Sequence, residues 1–410
     1  MVAKCRFCGT RLENTFVDLG MSPLSNSYLT SEQLTRVESF YPLHVYVCGV
    51  CFLVQLEDFE TPEQIFRHYA YFSSYSESWL RHARAYTNNV VERFGIGGES
   101  QVVEIASNDG YLLRNFKDRG IRILGIEPAR NVAQTAIESG IPTLTRFFGA
   151  DTARHVVSEY GPADLLIGNN VLAHVPDLND FVAGLRILLS IDGILTMEFP
   201  HVFRLMQNNQ FDTIYHEHFS YFSFLTVERV FAHHKLSVFD VEELSTHGGS
   251  LRIFVKHEND NAKVVTRQVK ELREKEQEAG LQDLATYACF EGKVQQIKRD
   301  LLEFLIKVKR SHKTIAGYGA PAKGSTLLNY CGIRTDLLEY TVDRSPHKQN
   351  LFLPGVHLPV FAPEKIRETK PNYVLILAWN LRTEIMEQMS FVQNWGGRFV
   401  TPIPCVEVFD

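Results

Sequence analysis

Residues 101–116 read QVVEIASNDGYLLRNF. A short apolar run passes into a polar turn that ends in Gly110, and an amphipathic pattern begins directly after it, so the stretch predicts a strand, a turn and a helix. Gly110 lets a ligand approach the backbone, and Asp109 can accept a hydrogen bond from a ligand amine. The next apolar run ends in Glu127. An acidic residue about 20 residues after a glycine turn is typical of a ribose-binding site.

Later apolar runs continue the alternation of strands and helices. A third predicted strand, 164–168, ends in Asn169 and Asn170, and another follows at 194–199. This series predicts a doubly wound α/β sheet that binds its ligand at the carboxyl ends of the strands. If a helix begins directly after the third strand, Asn170 and His174 lie four residues apart on one face toward this crevice. A lone histidine is more often an ordinary surface or core residue, so His174 is a candidate because of its position.

A second glycine-rich turn occurs in the C-terminal part, where residues 314–330 read TIAGYGAPAKGSTLLNY. The pattern again predicts a strand, a turn and a helix, and apolar runs at 338–342 and 373–378 complete a small Rossmann-like sheet. Backbone amides at such a turn can hold a phosphate, with Lys323 as the counter-charge. The alternative is a turn whose glycines serve packing only. The glycines concerned are Gly317, Gly319 and Gly324.

Three polar residues follow the second strand of this C-terminal sheet. Asp343, Arg344 and His347 are candidates for holding a base, a ribose or a phosphate, because arginine pairs bidentately with phosphate. The alternative is a charged loop at the surface of the domain.

Four of the seven cysteines form two Cys-x-x-Cys pairs, Cys5 with Cys8 and Cys48 with Cys51. Closely spaced thiolates on a tight turn can both face one tetrahedral ion. Two such pairs predict a structural Zn²⁺ site with no open position for catalysis. Such an ion would stabilise a module of roughly 70 residues that is too small to be held together by its core alone. The other cysteines are scattered and predict ordinary thiols: Cys289, Cys331 and Cys405.

The stretch 211–221, FDTIYHEHFSY, places two histidines, a glutamate and a tyrosine among aromatic residues. Partial desolvation there would move their pKa values toward neutrality, as acid–base or metal chemistry requires. His216 and His218 could share a metal ion, or one of them could be a general base. The run lacks the H-E-x-x-H spacing and a complete zinc site is expected elsewhere, which favours the base. A helical turn would place Tyr215 and His218 on one face, whereas a strand would pair Tyr215 with Glu217.

Composition excludes several classes of protein. A chain of 410 residues predicts two or three domains. The net charge of −6, without a run of Lys and Arg, argues against a nucleic-acid partner. No apolar stretch reaches the roughly 20 residues that span a bilayer, and the N-terminus has no signal-peptide core, so we expect a cytoplasmic protein without a membrane partner. The charged pattern at 262–312 predicts amphipathic helices that link two domains.

These motifs resemble those of a known class of enzymes. The turn at 102–110 and the acid Glu127 are similar to the first motif and the ribose-binding acid of class I S-adenosylmethionine-dependent methyltransferases. Ala106 and Asn108 stand where that motif usually has glycines. A dinucleotide-dependent dehydrogenase is disfavoured because no clean G-x-G-x-x-G is present. With the strand-end asparagines, the resemblance implies a cofactor site of Glu104, Ala106, Ser107, Asn108, Asp109, Gly110, Glu127, Pro128, Asn169 and Asn170.

Over nearly its whole length the chain resembles the bacterial sugar C-methyltransferases that modify deoxysugar nucleotides. The most specific marks are the paired Cys-x-x-Cys, EIASNDG, NNVLAH, YHEHFSY, THGGSLR and GYGAPAKG. The resemblance is greatest to members that methylate C-3' of a TDP-linked 3-amino-4-keto-deoxysugar, as in D-tetronitrose biosynthesis. It implies that His218 removes the proton next to the ketone and that the enolate carbon then attacks the cofactor's methyl group.

The same resemblance implies roles for other residues. Tyr215 and Glu217 would orient the base or contact the sugar, and His174 and Tyr69 would lie near the keto and ring oxygens. His247, between Thr246 and two glycines, belongs either to a loop near the cleft or to a simple turn. The candidate substrate contacts are His247, Tyr318, Ala320, Lys323, Gly324, Asp343, Arg344 and His347.

The expected fold class is α/β, with three domains. Residues 1–70 would form the zinc-binding module, 71–305 a class I methyltransferase domain of Rossmann-like type, and 306–410 a small Rossmann-like domain that binds the sugar nucleotide. The expected ligands are S-adenosylmethionine, a structural Zn²⁺ and a TDP-sugar of deoxysugar or antibiotic biosynthesis; the oligomeric state stays open, with a monomer as one option. Two other functions remain open, namely O- or N-methylation of another small metabolite and a non-catalytic zinc-containing scaffold that senses nucleotides.

Overall fold

The structure, a computed structural model, describes residues 3–61, 73–75 and 77–410. Tyr69, one of the candidate catalytic residues, lies outside these residues. The strands are β1 (Asn14–Ser22), β2 (Tyr41–Val47), β3 (Val54–Leu56), β4 (Gln101–Ile105), β5 (Arg122–Ile126), β6 (Thr143–Leu144), β7 (Ala163–Asn169), β8 (Leu189–Pro200), β9 (Ser220–Tyr221), β10 (Leu236–Leu244), β11 (Ser250–His257), β12 (Ile315–Tyr318), β13 (Thr341–Val342), β14 (Val360–Phe361), β15 (Tyr373–Ile376), β16 (Arg398–Thr401) and β17 (Glu407–Phe409).

The α-helices lie between these strands, as a doubly wound arrangement requires. They are α1 (Glu77–Phe94), α2 (Leu113–Lys117), α3 (Arg130–Glu138), α4 (Ala150–Tyr160), α5 (Leu178–Leu188), α6 (Val202–Gln207), α7 (Phe224–His233), α8 (Arg267–Glu278), α9 (Leu284–Arg310), α10 (Ala322–Cys331), α11 (Glu364–Thr369) and α12 (Arg382–Gln388). None of the helices in the described ranges has the length and apolar character needed to cross a membrane.

The chain forms two compact units, each assembled from several segments. The first unit contains Met1–Leu12, Cys48–His201 and Phe219–Gln282. The second contains Glu13–Val47, Val202–His218 and Asp283–Asp410. The stretch 211–221 therefore belongs to both units, because the chain passes from the second to the first between His218 and Phe219.

The first unit is built on a seven-stranded sheet in the order β10-β11-β8-β7-β4-β5-β6. The strands from β8 to β6 are parallel, and β11 runs antiparallel to both β8 and β10. The strand order reverses at β4, which pairs with β5 on one side and β7 on the other. A doubly wound sheet opens a ligand crevice at the carboxyl ends of its strands at such a reversal. The expected α/β fold is confirmed, with the crevice beside the 106–110 turn.

The central strands of this sheet are buried on both faces, which explains their continuous apolar runs. Val102, Leu165 and Ile167 are fully buried, and helices α1 and α2 cover them with Tyr86 and Phe116. Strand β3 pairs antiparallel with β9 in the same unit, and Gln55 of β3 contacts Cys5 of the cysteine pairs.

The second unit is built on a six-stranded sheet in the order β14-β13-β12-β15-β16-β17. All pairings are parallel except that of β16 with β17. This is the Rossmann strand order, and its reversal falls at β12, directly before the second glycine-rich turn. The expected small Rossmann-like sheet is confirmed. The antiparallel pair β1 and β2 belongs to the same unit, where Phe16 stacks on Phe290 of α9 with ring centroids 4.7 Å apart.

One expectation about local structure is wrong. Directly after β7 the chain forms a single 3-10 turn, Leu172–His174, instead of a helix. Asn170 has φ 54°, in the left-handed region, and its N–H donates to the Glu198 carbonyl at 2.7 Å. Because Asn170 extends the sheet and is not part of a helix, Asn170 and His174 do not share a helix face.

Candidate active site

The first-motif turn after β4 folds through three residues with left-handed backbone conformations. Ala106 has φ 54°, Asn108 has φ 52° and Gly110 has φ 77°. A Cβ atom on Gly110 would lie 2.7 Å from Ile141 Cγ1, so both the conformation and the available space require glycine there. The chain therefore keeps a glycine-type backbone at Ala106 and Asn108 although the glycines are absent, at a cost of order 1 kcal/mol for each residue.

Glu127, at the end of β5, ties this turn to the neighbouring strand. Its Oε2 accepts the Asn108 N–H at 2.9 Å, and its Oε1 accepts the Ala129 N–H at 2.8 Å. Burial raises the pKa of the Glu127 carboxyl to about 7, against the lowering effect of these two donors. The ribose-binding acid expected from the sequence thus lies at the carboxyl end of β5, beside the turn.

Buried hydrogen-bond acceptors are concentrated at this edge of the sheet. Asp109 Oδ1, Asn169 Oδ1 and Asn170 Oδ1 are buried and have no hydrogen-bond partner among the described residues. The backbone N–H groups of Ser73 and Ser74 occupy the other acceptors of the turn, Asn108 Oδ1 at 2.9 Å and Asp109 Oδ2 at 3.1 Å. Unpaired buried acceptors destabilise a fold unless a ligand supplies donors.

The expected cofactor fits these groups. S-adenosylmethionine presents an ammonium group, ribose hydroxyls and a positive sulfonium, so it offers donors and positive charge to a crevice of acceptors. Burial and the charges of Glu127 and Asp109 raise the pKa of Glu104 well above its usual range, which favours the neutral carboxyl over the carboxylate. Glu104 lies within β4 and is buried, so its carboxyl is located in the sheet before the turn begins.

A charged network that sequence reasoning missed lies at the carboxyl end of β8. The fully buried Glu198 carboxylate accepts hydrogen bonds from His82 at 2.9 Å, Arg252 at 2.8 Å and Thr246 at 3.0 Å. Burial opposes ionisation, but the hydrogen bond from His82 and the charge of Arg252 hold the pKa of Glu198 below its usual value. Arg252 lies directly opposite Glu198 on β11, so the network follows from the register of the two strands.

This network holds the loop that carries His247. Thr246 is bound to Glu198, and His247 has φ 54° at the centre of the turn. Its Nε2 lies 3.4 Å from Asn170 Nδ2, and its ring contacts the edge of Trp79 with centroids 5.2 Å apart. His247 is therefore brought to the strand ends where the buried unpaired acceptors lie, which favours the loop interpretation over a simple turn. His174 is half-buried after the 3-10 turn that follows β7.

In the second unit, residues 215–218 form a tight turn. The His218 N–H donates to the Tyr215 carbonyl at 2.9 Å, and the two rings are in contact, with centroids 4.1 Å apart and planes tilted by 33°. The question left open by the sequence is thereby settled: Tyr215 and His218 share a face. His218 Nδ1 lies 2.9 Å from the Thr213 carbonyl oxygen. Because a carbonyl oxygen only accepts, Nδ1 carries the proton and the lone pair of the neutral ring is on Nε2.

Two neighbours of His218 have separate partners. Glu217 accepts a hydrogen bond from Asn26 Nδ2 at 2.6 Å, and burial raises its pKa to about 7 against the lowering effect of that bond. His216 Nε2 lies 3.1 Å from the Pro42 carbonyl oxygen, and burial lowers the pKa of this imidazole. Neither histidine belongs to a group of three or more metal-ligating side chains within the described residues, so a metal site at this turn is not supported.

The glycines of the second glycine-rich turn are packed closely against neighbouring strands and helices of the second unit. A Cβ atom on Gly317 would lie 2.7 Å from Thr341 Oγ1, and one on Gly324 would lie 3.2 Å from Leu377 Cβ. These glycines serve packing between strands and helix. Gly319 has φ 91°, which glycine adopts readily. The phosphate-binding interpretation of this turn therefore rests on the polar residues around it.

Several of those polar residues hydrogen-bond to the backbone of Ala320. Its N–H donates to Asp343 Oδ2 at 2.7 Å, and its carbonyl accepts from Lys348 Nζ at 2.9 Å and from the Tyr28 hydroxyl. Lys323 Nζ donates to Asn380 Oδ1 at 2.7 Å and lies 4.6 Å from the Trp379 ring centroid. The remaining candidates differ in exposure: Tyr318 is buried, whereas Arg344 and His347 are exposed.

The four cysteines of the paired motifs converge in the first unit. Their Sγ atoms all lie within 4.8 Å of one another, with Cys5–Cys51 at 3.5 Å, Cys8–Cys48 at 3.5 Å and Cys8–Cys51 at 3.7 Å. A tetrahedron with Zn–S bonds of about 2.3 Å has edges of about 3.8 Å, so the spacing fits a bound zinc ion. Gln55 Nε2 also donates to Cys5 Sγ at 3.2 Å, which suits a thiolate ligand. Within the described part of the chain this is the one group of three or more metal-ligating side chains.

Comparison with known proteins agrees with this organisation. The family model described as "Putative zinc binding domain" matches residues 5–66, one described as "Methyltransferase domain" matches 79–240, and one described as "C-methyltransferase C-terminal domain" matches 245–404. With the crevice described above, they define an S-adenosylmethionine-dependent methyltransferase that contains a zinc-binding module.

A curated relative covers almost the whole chain. The C-methyltransferase NovU of Streptomyces niveus is 36% identical over 404 residues, which are 98% of this chain and 96% of NovU. The chain belongs to this family of S-adenosylmethionine-dependent C-methyltransferases.

Two solved structures with similarity to this chain are distant in sequence. Magnesium protoporphyrin IX methyltransferase from Synechocystis is 14% identical with a TM-score of 0.33, covering 43% of this chain and 78% of that one. The PH0226 protein from Pyrococcus horikoshii is 15% identical with a TM-score of 0.37, covering 48% of this chain and 99% of that one. At these TM-scores the similarity supports no conclusion about this chain.

Proposed function

We propose that this C-methyltransferase adds a methyl group to C-3' of a TDP-linked 3-amino-4-keto-deoxysugar, with His218 as the general base. The single observation that supports the base assignment most directly is the contact of His218 Nδ1 with the Thr213 carbonyl at 2.9 Å. This contact fixes the tautomer that has its lone pair on Nε2, as a base requires.

The ketone at C-4' acidifies the neighbouring C-3' hydrogen. His218 Nε2 takes this proton, and the electrons of the C–H bond pass into the enolate. When bound, S-adenosylmethionine would supply the electrophilic methyl group to the C-3' carbon of the enolate, with cleavage of the sulfonium S–CH3 bond and S-adenosylhomocysteine as the leaving group. The crevice formed by the 106–110 turn, Glu127 and Asn169 would hold the cofactor.

Tyr215 and Glu217 have supporting roles in this proposal. The Tyr215 ring packs against the His218 ring and limits the rotation of the imidazole. The Glu217 carboxyl has a pKa of about 7, because burial disfavours its charge, so it can donate or accept a hydrogen bond near neutral pH. His174, Tyr69 and His247 remain candidate contacts of the sugar.

The nucleotide part of the substrate would bind the C-terminal Rossmann-like sheet. The carboxyl ends of β12 and β13 lie at its strand-order reversal, where such sheets bind ligands. Charged groups are present there: Lys323 lies in the helix that follows β12, and Asp343 and Arg344 follow β13 directly. A TDP diphosphate would interact with the two cationic side chains.

The test uses His218→Asn. We expect loss of methyl transfer and of solvent deuterium incorporation at C-3' of the sugar, while the affinity for S-adenosylmethionine, measured calorimetrically, stays near that of the unchanged chain. His312→Asn is the matched control, because His312 is exposed in the same unit and has φ 54°, a conformation that asparagine tolerates. Full exchange by His218→Asn would refute the base assignment. Methylation without any exchange in the unchanged chain would favour transfer to oxygen or nitrogen.

A further inference from the structure

The segment that carries His218 is held by the C-terminal sheet of its own unit. Trp379 Nε1 donates to Asp212 Oδ2 at 2.6 Å, and the Thr326 hydroxyl donates to the Ile214 carbonyl at 2.8 Å. Phe211 also packs edge-on against Tyr330 of α10, with centroids 5.3 Å apart. The segment is thus anchored by residues that follow the carboxyl ends of β12 and β15.

Asp212 is an unusual residue for such an anchor. Its side chain is completely buried, and its Oδ1 has no hydrogen-bond partner among the described residues. A buried carboxylate is costly unless it is paired, so the Trp379 N–H has a large effect on how Asp212 is placed. Lys323 lies over the face of the same indole, 4.6 Å from its centroid, and its positive charge acts on Asp212.

The path from this anchor to the base is short. Asp212 precedes Thr213, whose carbonyl accepts the proton of His218 Nδ1. The Phe211–Thr213 stretch is a single 3-10 turn, so a displacement of Asp212 moves the Thr213 carbonyl with it. Ile214, held by Thr326, follows directly and limits movement on the other side.

We propose that Asp212 and Trp379 are positioning residues that orient His218 through the Thr213 carbonyl. Loss of the indole N–H lets the turn shift, which weakens the Nδ1–H bond and allows the other tautomer, in which Nε2 is protonated and cannot act as a base. This inference rests on the proposed function of His218. It extends that function by assigning part of the C-terminal sheet to the geometry of the base as well as to the nucleotide.

The principal variant is Trp379→Phe, which keeps an aromatic ring near Lys323 and removes the N–H donor together with the five-membered part of the indole. We expect kcat and the rate of C-3' deuterium exchange to fall about 10- to 100-fold, as small displacements of a catalytic group do. The KM for the sugar nucleotide should change less than about threefold, because no substrate contact is removed. Trp395→Phe is the matched control: it removes an indole N–H bonded to the Pro371 carbonyl at 3.0 Å, away from the base segment.

Asp212 provides the second arm of the test. Asp212→Asn keeps an oxygen that accepts from Trp379, so it should retain most of the exchange rate, whereas Asp212→Ala should lose as much as Trp379→Phe. The double variant Trp379→Phe/Asp212→Ala should lose no more than either single variant, because both remove the same contact. Nitrogen-15 NMR of labelled histidines gives a direct readout, with the His218 signals assigned by their absence in His218→Asn. We expect the Nδ1-protonated signature in the unchanged chain and a mixture of tautomers in Trp379→Phe.

The outcomes separate this inference from the proposed function. If His218→Asn retains exchange, the base assignment fails first. If His218→Asn abolishes exchange while Trp379→Phe matches Trp395→Phe in rate and tautomer signature, the positioning role is refuted and the base assignment stands. If Trp379→Phe does not fold, the exchange rates of Asp212→Ala and Asp212→Asn are compared instead. Thr326→Val gives a further comparison, because it removes the hydrogen bond to the Ile214 carbonyl at nearly constant side-chain volume. Equal exchange rates in Asp212→Ala and Asp212→Asn would then refute the inference.

Discussion

Arg252 offers the sharpest test of the energetics of the first unit. Its guanidinium donates to Glu198 at 2.8 Å and to Glu242 at 2.9 Å, and it lies 4.7 Å from the Tyr86 ring centroid. The Arg252 side chain is 7% exposed and the Glu198 side chain is 0% exposed. Arg252→Met removes the charge and keeps much of the apolar stem, so the Glu198 carboxylate stays buried without its guanidinium partner.

Removing one partner of a buried ion pair costs about 3–5 kcal/mol, because the remaining charge is uncompensated. His82 and Thr246 still donate to Glu198, which reduces the loss, and the half-exposed Glu242 adds less than about 1 kcal/mol. We therefore expect Arg252→Met to lower the free energy of unfolding by about 3 kcal/mol at neutral pH. The double variant Arg252→Met/Glu198→Gln should recover most of this, since neither charge then remains.

The assay is urea unfolding followed by hydrogen exchange in β8 and β11, which isolates the first unit in a chain with more than one compact unit. Arg267→Met is the control, because Arg267 pairs with Glu271 on an exposed face of α8 and should contribute less than about 1 kcal/mol. The pKa of Glu198 is depressed in the folded chain, so its contribution is present at neutral pH and is lost as the pH falls through that pKa. A loss below about 1 kcal/mol in Arg252→Met, or a double variant no more stable than the single one, would refute this account.

Two further predictions concern the zinc module and Glu217. Cys48→Ser or a strong chelator should remove one bound zinc per chain, measured by elemental analysis, and should lower the thermal unfolding midpoint of the first unit. Cys405→Ser, at an exposed cysteine, should change neither the zinc content nor the midpoint. An unchanged midpoint after chelator treatment would contradict a structural role of the zinc. Burial raises the pKa of Glu217 from 4.5 to about 7 in the folded chain, so the folded state binds the extra proton and its stability falls as the pH rises between these values. Glu217→Gln should therefore be more stable than the unchanged chain at pH 8, by up to about 3 kcal/mol, and by much less at pH 5. Glu407→Gln, at an exposed glutamate, should show no pH-dependent difference in stability. A stability difference for Glu217→Gln that does not depend on pH would refute the raised pKa of Glu217.

The sequence predicted the elements that local pattern determines. Apolar runs predicted β4, β5, β7, β8, β12, β13 and β15, and the two glycine turns follow β4 and β12, where the strand order reverses. The other strands of the two sheets were not predicted: β6, β10, β11, β14, β16 and β17. The four cysteines were predicted because Cys-x-x-Cys spacing is itself the geometry of a metal site. The class I motif was recognisable although Ala106 and Asn108 replace glycines, since both residues adopt the backbone conformation that the glycines would have.

The contacts that position the candidate site depend on tertiary pairing and were not predictable from local pattern. Arg252 meets Glu198 because β11 pairs antiparallel with β8 in one register, and Trp379 meets Asp212 across 167 residues of chain. One signal was available for Glu198, a lone acid in the apolar run ILTMEF, which a buried strand retains only if the charge is paired. The conformation of 215–218 also needed the structure, because the turn is set by hydrogen bonds to its own carbonyls and to the C-terminal sheet.

The cofactor crevice gathers features that each destabilise the folded chain on their own. Ala106, Asn108 and Asn170 have left-handed backbones, and Glu127 is buried with a raised pKa. Three buried acceptor atoms of this edge, Asp109 Oδ1, Asn169 Oδ1 and Asn170 Oδ1, have no hydrogen-bond donor among the described residues. Strain and unpaired polar groups of this kind persist at functional sites, where a ligand supplies the missing donors and charge. The unpaired acceptors destabilise the folded first unit as long as no ligand is bound. Binding of a cationic hydrogen-bond donor such as S-adenosylmethionine should therefore stabilise this unit more than it would stabilise a unit whose acceptors were already paired.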